Sequence, residues 1–109
     1  MVPALGALLA SSCSDDLVSR AIGARCDKAS ECEQRCLAPS EDSPGGFCTI
    51  ACDSDRDCPD DARCVDQDDG VCLFSCGADA DCTFLGAGWR CRSRDAQPGP
   101  NEVMVCRGD

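Results

Sequence analysis

Histidine and tyrosine are absent from this chain of 109 residues, and its aromatic complement is one tryptophan and three phenylalanines. A conventional core would be thin, because the 43% apolar content includes thirteen cysteines. With no histidine and no Cys-Xaa2-Cys pair, the usual ligand sets for a structural zinc or an iron–sulfur cluster are missing. The same spacing leaves out the low-pKa cysteine pair of a redox enzyme, and no other catalytic signature occurs, so neither catalysis nor a cofactor is expected. Bases are scarce too: ten, nine of them Arg, against twenty acids, for a net charge of −10. That balance disfavours a nucleic-acid backbone or an anionic membrane face, which require a positive footprint. The expected partner is an unidentified protein or a basic ligand.

Cysteine is what the chain has in quantity. Small domains that bury too little apolar surface are held by cross-links, which shrink the unfolded ensemble. In the chain-entropy model a closed loop of about 15 residues contributes roughly 3 kcal/mol, so six bridges can stand in for much of a core.

Twelve of the cysteines fall into three copies of one unit. Aligned on their first cysteine, "CDKASEC", "CDSDRDC" and "CGADADC" begin at Cys26, Cys52 and Cys76. An acid precedes the second cysteine in every copy: Glu31, Asp57 and Asp81. Arginine precedes the third, as Arg35-Cys36, Arg63-Cys64 and Arg90-Cys91, and a fourth cysteine closes each unit at Cys48, Cys72 and Cys106. The units are residues 26–48, 52–72 and 76–106. Each reads as an acidic loop with at most one helical turn, then a short hairpin around "APSEDSPGG", "DQDDG" or "RSRDAQPGPN".

Four cysteines per unit permit three pairings, and spacing does not choose among them. The preferred one is crossed, first with third and second with fourth, because it ties the acidic loop to both strands instead of duplicating the hairpin. It joins Cys26–Cys36, Cys32–Cys48, Cys52–Cys64, Cys58–Cys72, Cys76–Cys91 and Cys82–Cys106.

Cys13 is left over. The preceding "MVPALGALLASS" is shorter than the roughly 20 apolar residues of a membrane span and reads as the end of a secretory signal, residues 1–12, with Ala10, Ser11 and Ser12 as small cleavage-site residues. With Cys13 the stretch resembles a bacterial lipobox, although Leu9 stands one place early and no base precedes the apolar run. The resemblance implies lipidation of Cys13, a tether over residues 13–25, and membrane attachment through the lipid alone.

The cysteine spacing of residues 26–106 resembles the cysteine-rich domain of dickkopf proteins, colipase-type fingers, and repeats in secreted lipoproteins of GC-rich bacteria such as myxobacteria. The doubled cysteines of several such domains are missing here. The resemblance implies crossed bridges and a non-catalytic, partner-binding role.

Candidate sites lie outside the cysteines. Asp53, Asp55, Asp57 and Asp61 stand at calcium-loop intervals, but Cys58 and Cys64 occupy the places of the turn glycine and the bidentate carboxylate. Solvated acidic loops are the plainer reading. Arg63 or Arg90 on a disulfide-framed loop has the form of a protease-inhibitor bait, although pairing with nearby acids is commoner. The terminal "RGD" matches an adhesion tripeptide by chance. Phe84, Leu85 and Trp89, in the insertion after Cys82, are expected to plug the last unit's core; an exposed Phe84 or Trp89 would be the first binding residue to test.

The sequence therefore predicts a small disulfide-rich fold of three tandem four-cysteine repeats, each an acidic loop plus a short β-hairpin, with little helix. The expected function is an exported, lipid-anchored binding or surface module at the cell envelope, the outer membrane or outside the cell. Its alternatives are an extracellular calcium-binding module and a disulfide-framed protease inhibitor.

Overall fold

The computed structural model describes residues 18–108; the signal residues and Cys13 lie outside them. In each unit a 3-10 element begins between the first two cysteines: η1 Ala29–Glu31, η2 Asp55–Asp57 and η3 Asp79–Leu85, the last running past Cys82 and so exceeding the single turn expected. An antiparallel hairpin follows each turn: β1 (Arg35–Leu37) with β2 (Phe47–Thr49), β3 (Ala62–Val65) with β4 (Val71–Phe74), and β5 (Arg90–Asp95) with β6 (Glu102–Arg107). This is a disulfide-rich fold of short hairpins, with no α-helix among the described residues.

The acid before each second cysteine builds its turn. Glu31 Oε1 accepts the Asp27 N–H at 2.7 Å, Asp57 Oδ2 accepts the Asp53 N–H at 2.9 Å, and Asp81 Oδ2 accepts the Gly77 N–H at 2.8 Å. These are donors that the start of a helical turn cannot satisfy internally. A periodic acid in the sequence is thus a periodic cap.

Across each hairpin the third and fourth cysteines are direct partners: Cys36 opposite Cys48, Cys64 opposite Cys72, and Cys91 opposite Cys106. Directly opposed residues point to the same face of a hairpin, here the face on which the turn sits. The structure bonds Cys26–Cys36, Cys32–Cys48, Cys52–Cys64, Cys58–Cys72, Cys76–Cys91 and Cys82–Cys106. Each turn is therefore stapled to both strands of its own hairpin.

The units share one core. Leu37 and Phe47 from the first, Val65, Val71, Leu73 and Phe74 from the second unit and its linker, and Leu85, Trp89 and Val105 from the third form a single buried cluster. Phe47, Phe74 and Trp89 belong to it and the exposed Phe84 extends their row: Trp89 lies 5.3 Å from Phe47, Phe47 5.9 Å from Phe74, and Phe74 5.3 Å from Phe84, centroid to centroid. Polar contacts cross the same seams. Thr49 Oγ1 donates to the Cys72 carbonyl at 2.6 Å, and the Gln97 N–H to the Cys64 carbonyl at 3.0 Å.

Two expectations change. Residues 18–24 are not a loose tether: Ile22 is buried in the shared core, and the Gly23 N–H and Ala24 carbonyl hydrogen-bond with Cys48. An apolar Ile22 flanked by residues that can extend the backbone ladder gains more from docking than from solvation. In the third unit the strands reach Asp95 and resume at Glu102, so Arg92–Asp95 belong to the ladder and only residues 96–101 form the tip. Val103 and Val105, alternating inward on β6, hold that longer register.

Candidate functional site

Two of the four aspartates read as calcium ligands have their carboxylates engaged elsewhere. Asp55 Oδ1 accepts the Cys64 N–H at 2.8 Å and its Oδ2 accepts from Arg63 Nε at 2.8 Å, while Asp57 caps the turn through the Asp53 N–H. Among the described residues the only trios of potential ligands whose atoms converge are cysteines, whose sulfurs are bonded in disulfides. Asp53, Asp55, Asp57 and Asp61 therefore do not assemble into a carboxylate cage. In "DQDDG", Asp68 and Asp69 have φ of 49° and 71°, the left-handed region that aspartate tolerates better than most residues. This is turn chemistry.

The carbonyls of that turn are anchor points between units. Arg35 Nη1 donates to the Asp68 carbonyl at 2.9 Å, and Gln97 Nε2 to the Asp69 and Cys52 carbonyls, both at 3.3 Å. Arg35 is free to reach across because the first unit has Ala29 where the second and third have Asp55 and Asp79. In those units the acid binds the N–H of the third cysteine and pairs with the preceding arginine: Asp55 with Arg63 at 2.8 Å, Asp79 with Arg90 at 3.7 Å. The two arginines considered as protease bait are thus turned onto their own units.

The Asp55 carboxyl lies below the ordinary aspartate range, chiefly through the Cys64 N–H and secondarily through Arg63. A depressed folded-state pKa contributes stability that is present above the unfolded value of about 3.9 and is lost as pH falls through the folded one. At a half-exposed pair, screening holds this contribution to about 1 kcal/mol. Asp55→Asn, which keeps an oxygen for the Cys64 N–H, is expected to lose less stability than the parent between pH 7 and acid conditions below about pH 4. Denaturant midpoints at the two pH values measure it; equal losses in parent and variant would contradict the assignment.

Of the two aromatics marked for binding, Trp89 is 5% exposed, packed on Phe47, and its indole N–H donates to the Pro44 carbonyl at 2.9 Å. It sits in the core that the third unit shares with the others, at the seam with the first unit, and offers no free face. Phe84 keeps 42% exposure while its ring lies against Phe74. The two described residues of the terminal tripeptide are likewise engaged: Arg107 Nη2 pairs with Asp42 at 2.7 Å, and the Gly108 N–H donates to the Asp42 carbonyl at 2.8 Å.

A concave feature of ligand size opens between the second and third units. Its walls are Ser54, Asp55, Arg56 and Arg63 on one side and Ala96, Gln97, Pro98 and Asn101 on the other, around about 370 Å³. None of this was singled out from the sequence except Asp55 and Arg63. One signal was available: Arg56 stands where the other two units carry Ser30 and Ala80. Gln97 and Asn101 gave none, since only folding brings the third hairpin's tip against the second unit.

No protein-family model, curated protein or solved structure matches this chain.

Proposed function

We propose that this chain is a non-catalytic binding or surface module, exported and held at the cell envelope by a lipid on Cys13, as its resemblance to secreted lipoproteins and to dickkopf and colipase-type domains implies. The observation that carries the reading is the state of the cysteines. Twelve of the thirteen lie in six bridges, leaving Cys13 without a partner among them. Six disulfides suit a protein that folds in an oxidising compartment, and a leftover cysteine in such a protein calls for modification or intermolecular pairing. Several acyl chains at about 0.8 kcal/mol per buried CH₂ would hold the module firmly on a membrane. With twenty acids against ten bases, the module suits a basic protein or ligand.

Intact mass of the chain purified from host membranes, before and after reduction and alkylation, tests this. The expected result is a lipid adduct on Cys13 and twelve thiols that react only after reduction. Thiols that alkylate without reduction, or an unmodified Cys13, would overturn the exported and anchored reading respectively.

A further inference from the structure

The cleft between the second and third units differs in charge from the rest of the molecule. Its walls carry two arginines and one acid, in a chain whose net charge is −10. That acid, Asp55, is already consumed by the Cys64 N–H and Arg63 Nε. Arg56 makes no hydrogen bond or ion pair among the described residues, and Arg63, also in the lining, is engaged through its Nε. We infer that this cleft is a binding site for a small carboxylate-bearing ligand, with Arg56 as the residue that holds the carboxylate.

Three observations support the assignment. The volume of about 370 Å³ is at the small end of ligand clefts, suited to one sugar ring or a capped dipeptide. The far wall is preformed: Gln97 is pinned through its own N–H to the Cys64 carbonyl and through its side chain to the Cys52 and Asp69 carbonyls, and the Asp66 N–H is held by the Asp95 carbonyl. A ligand therefore meets a wall that needs little ordering on binding. Ser54 and Asn101, which carry neutral hydrogen-bonding groups, line the same cleft as Arg56, and Pro98 is an apolar element of the lining. A guanidinium with neighbouring neutral hydrogen-bonding groups is the chemistry that recognises a carboxylate on a polar ligand. Arg56 is also where the second unit departs from its sisters, which have Ser30 and Ala80 there. The repeat's own construction does not need it.

The inference rests on the binding-module reading but not on the lipid anchor. The test is a titration of the ¹⁵N-labelled oxidised full chain with glucuronate and, separately, with N-acetyl-Ala-Ala, each beside its uncharged methyl ester. At least one acid is expected to move the amides of Ser54, Arg56, Gln97 and Asn101, its ester to move none, and affinity to fall with salt. Which acid does so identifies a sugar or a peptide source. Arg56→Gln should weaken binding at least about tenfold and Arg56→Lys less, since a lysine keeps the charge but not the fork. Because Arg56 is exposed and unpartnered, Arg56→Gln should retain the parent's denaturant midpoint. No shifts with either acid, equal shifts with an ester, or undiminished binding to Arg56→Gln would each overturn the assignment. A failed cleft leaves the mass measurement on Cys13 untouched, so the two readings fall separately.

Discussion

Replacing Trp89 with alanine is expected to remove about 3–5 kcal/mol of stability while all six disulfides still form. The indole is the piece of the third unit that enters the first: its ring lies 5.3 Å from Phe47, and its N–H donates to the Pro44 carbonyl at 2.9 Å. Every bridge, by contrast, closes within one unit, over sequence separations of 10 to 24. Bridge formation and unit packing therefore rest on different contacts, and the variant separates them. Trp89→Phe should lose less, about 1 kcal/mol beyond packing, because it keeps a ring against Phe47 but leaves the Pro44 carbonyl without its donor. Since Trp89 is the only tryptophan, unfolding has to be followed by circular dichroism. The expected pair of results is an unchanged disulfide mass with a lowered denaturant midpoint. An unchanged midpoint would mean that the units do not depend on this seam.

Gly46→Ala should be at least as damaging, and by another route. Gly46 has φ +84° and lies so close to the Cys26 carbonyl oxygen that an added Cβ would overlap it. The second unit repeats the arrangement: Gly70, at φ +104°, faces the Cys52 carbonyl in the same way. In both, the glycine two residues before the fourth cysteine lets the start of the unit lie across the hairpin. A side chain there has to adopt a backbone region disfavoured for L-residues and also displace main chain that a neighbouring disulfide holds. The expected loss exceeds about 3 kcal/mol, read as a lowered midpoint and a reduced yield of the six-bridge species on oxidative refolding. Gly77→Ala is the control. Its φ is not in the positive region, its nearest would-be contact is the Asp81 carboxylate at 3.4 Å, and the other units carry Asp27 and Asp53 at that place. Equal behaviour of Gly46→Ala and Gly77→Ala would sink the steric argument.

The comparison of units explains what each sequence feature is for. Glu31, Asp57 and Asp81 recur because a turn of three to seven residues cannot satisfy its own first N–H groups. Arg63 and Arg90 recur with Asp55 and Asp79, and where the aspartate is replaced by Ala29 the arginine is released to bind the next unit. Such substitutions look like drift in an alignment of the repeats, but the one at position 29 marks where a unit contacts its neighbour, and the one at position 56 puts an arginine in the cleft lining.

The sequence by itself determined the repeat: three four-cysteine units, an acidic turn in each, and a hairpin between the last two cysteines. Those properties depend on residues close in the chain, where cysteine spacing, capping acids and glycine-containing turns act locally. Which cysteines bond, where Trp89 goes, that Ile22 docks, and that a cleft opens beside Arg56 were decided only by tertiary structure. Opposed cysteines share a hairpin face whichever pairing is drawn, and a lone aromatic can fill its own unit or a neighbour's. The choice comes from packing three small, incomplete cores into one, because each unit alone has too few apolar residues to cover its own. The shared core formed by Phe47, Phe74, Leu85 and Trp89 closes those open faces, and in doing so sets the third hairpin's tip against the second unit's acidic turn.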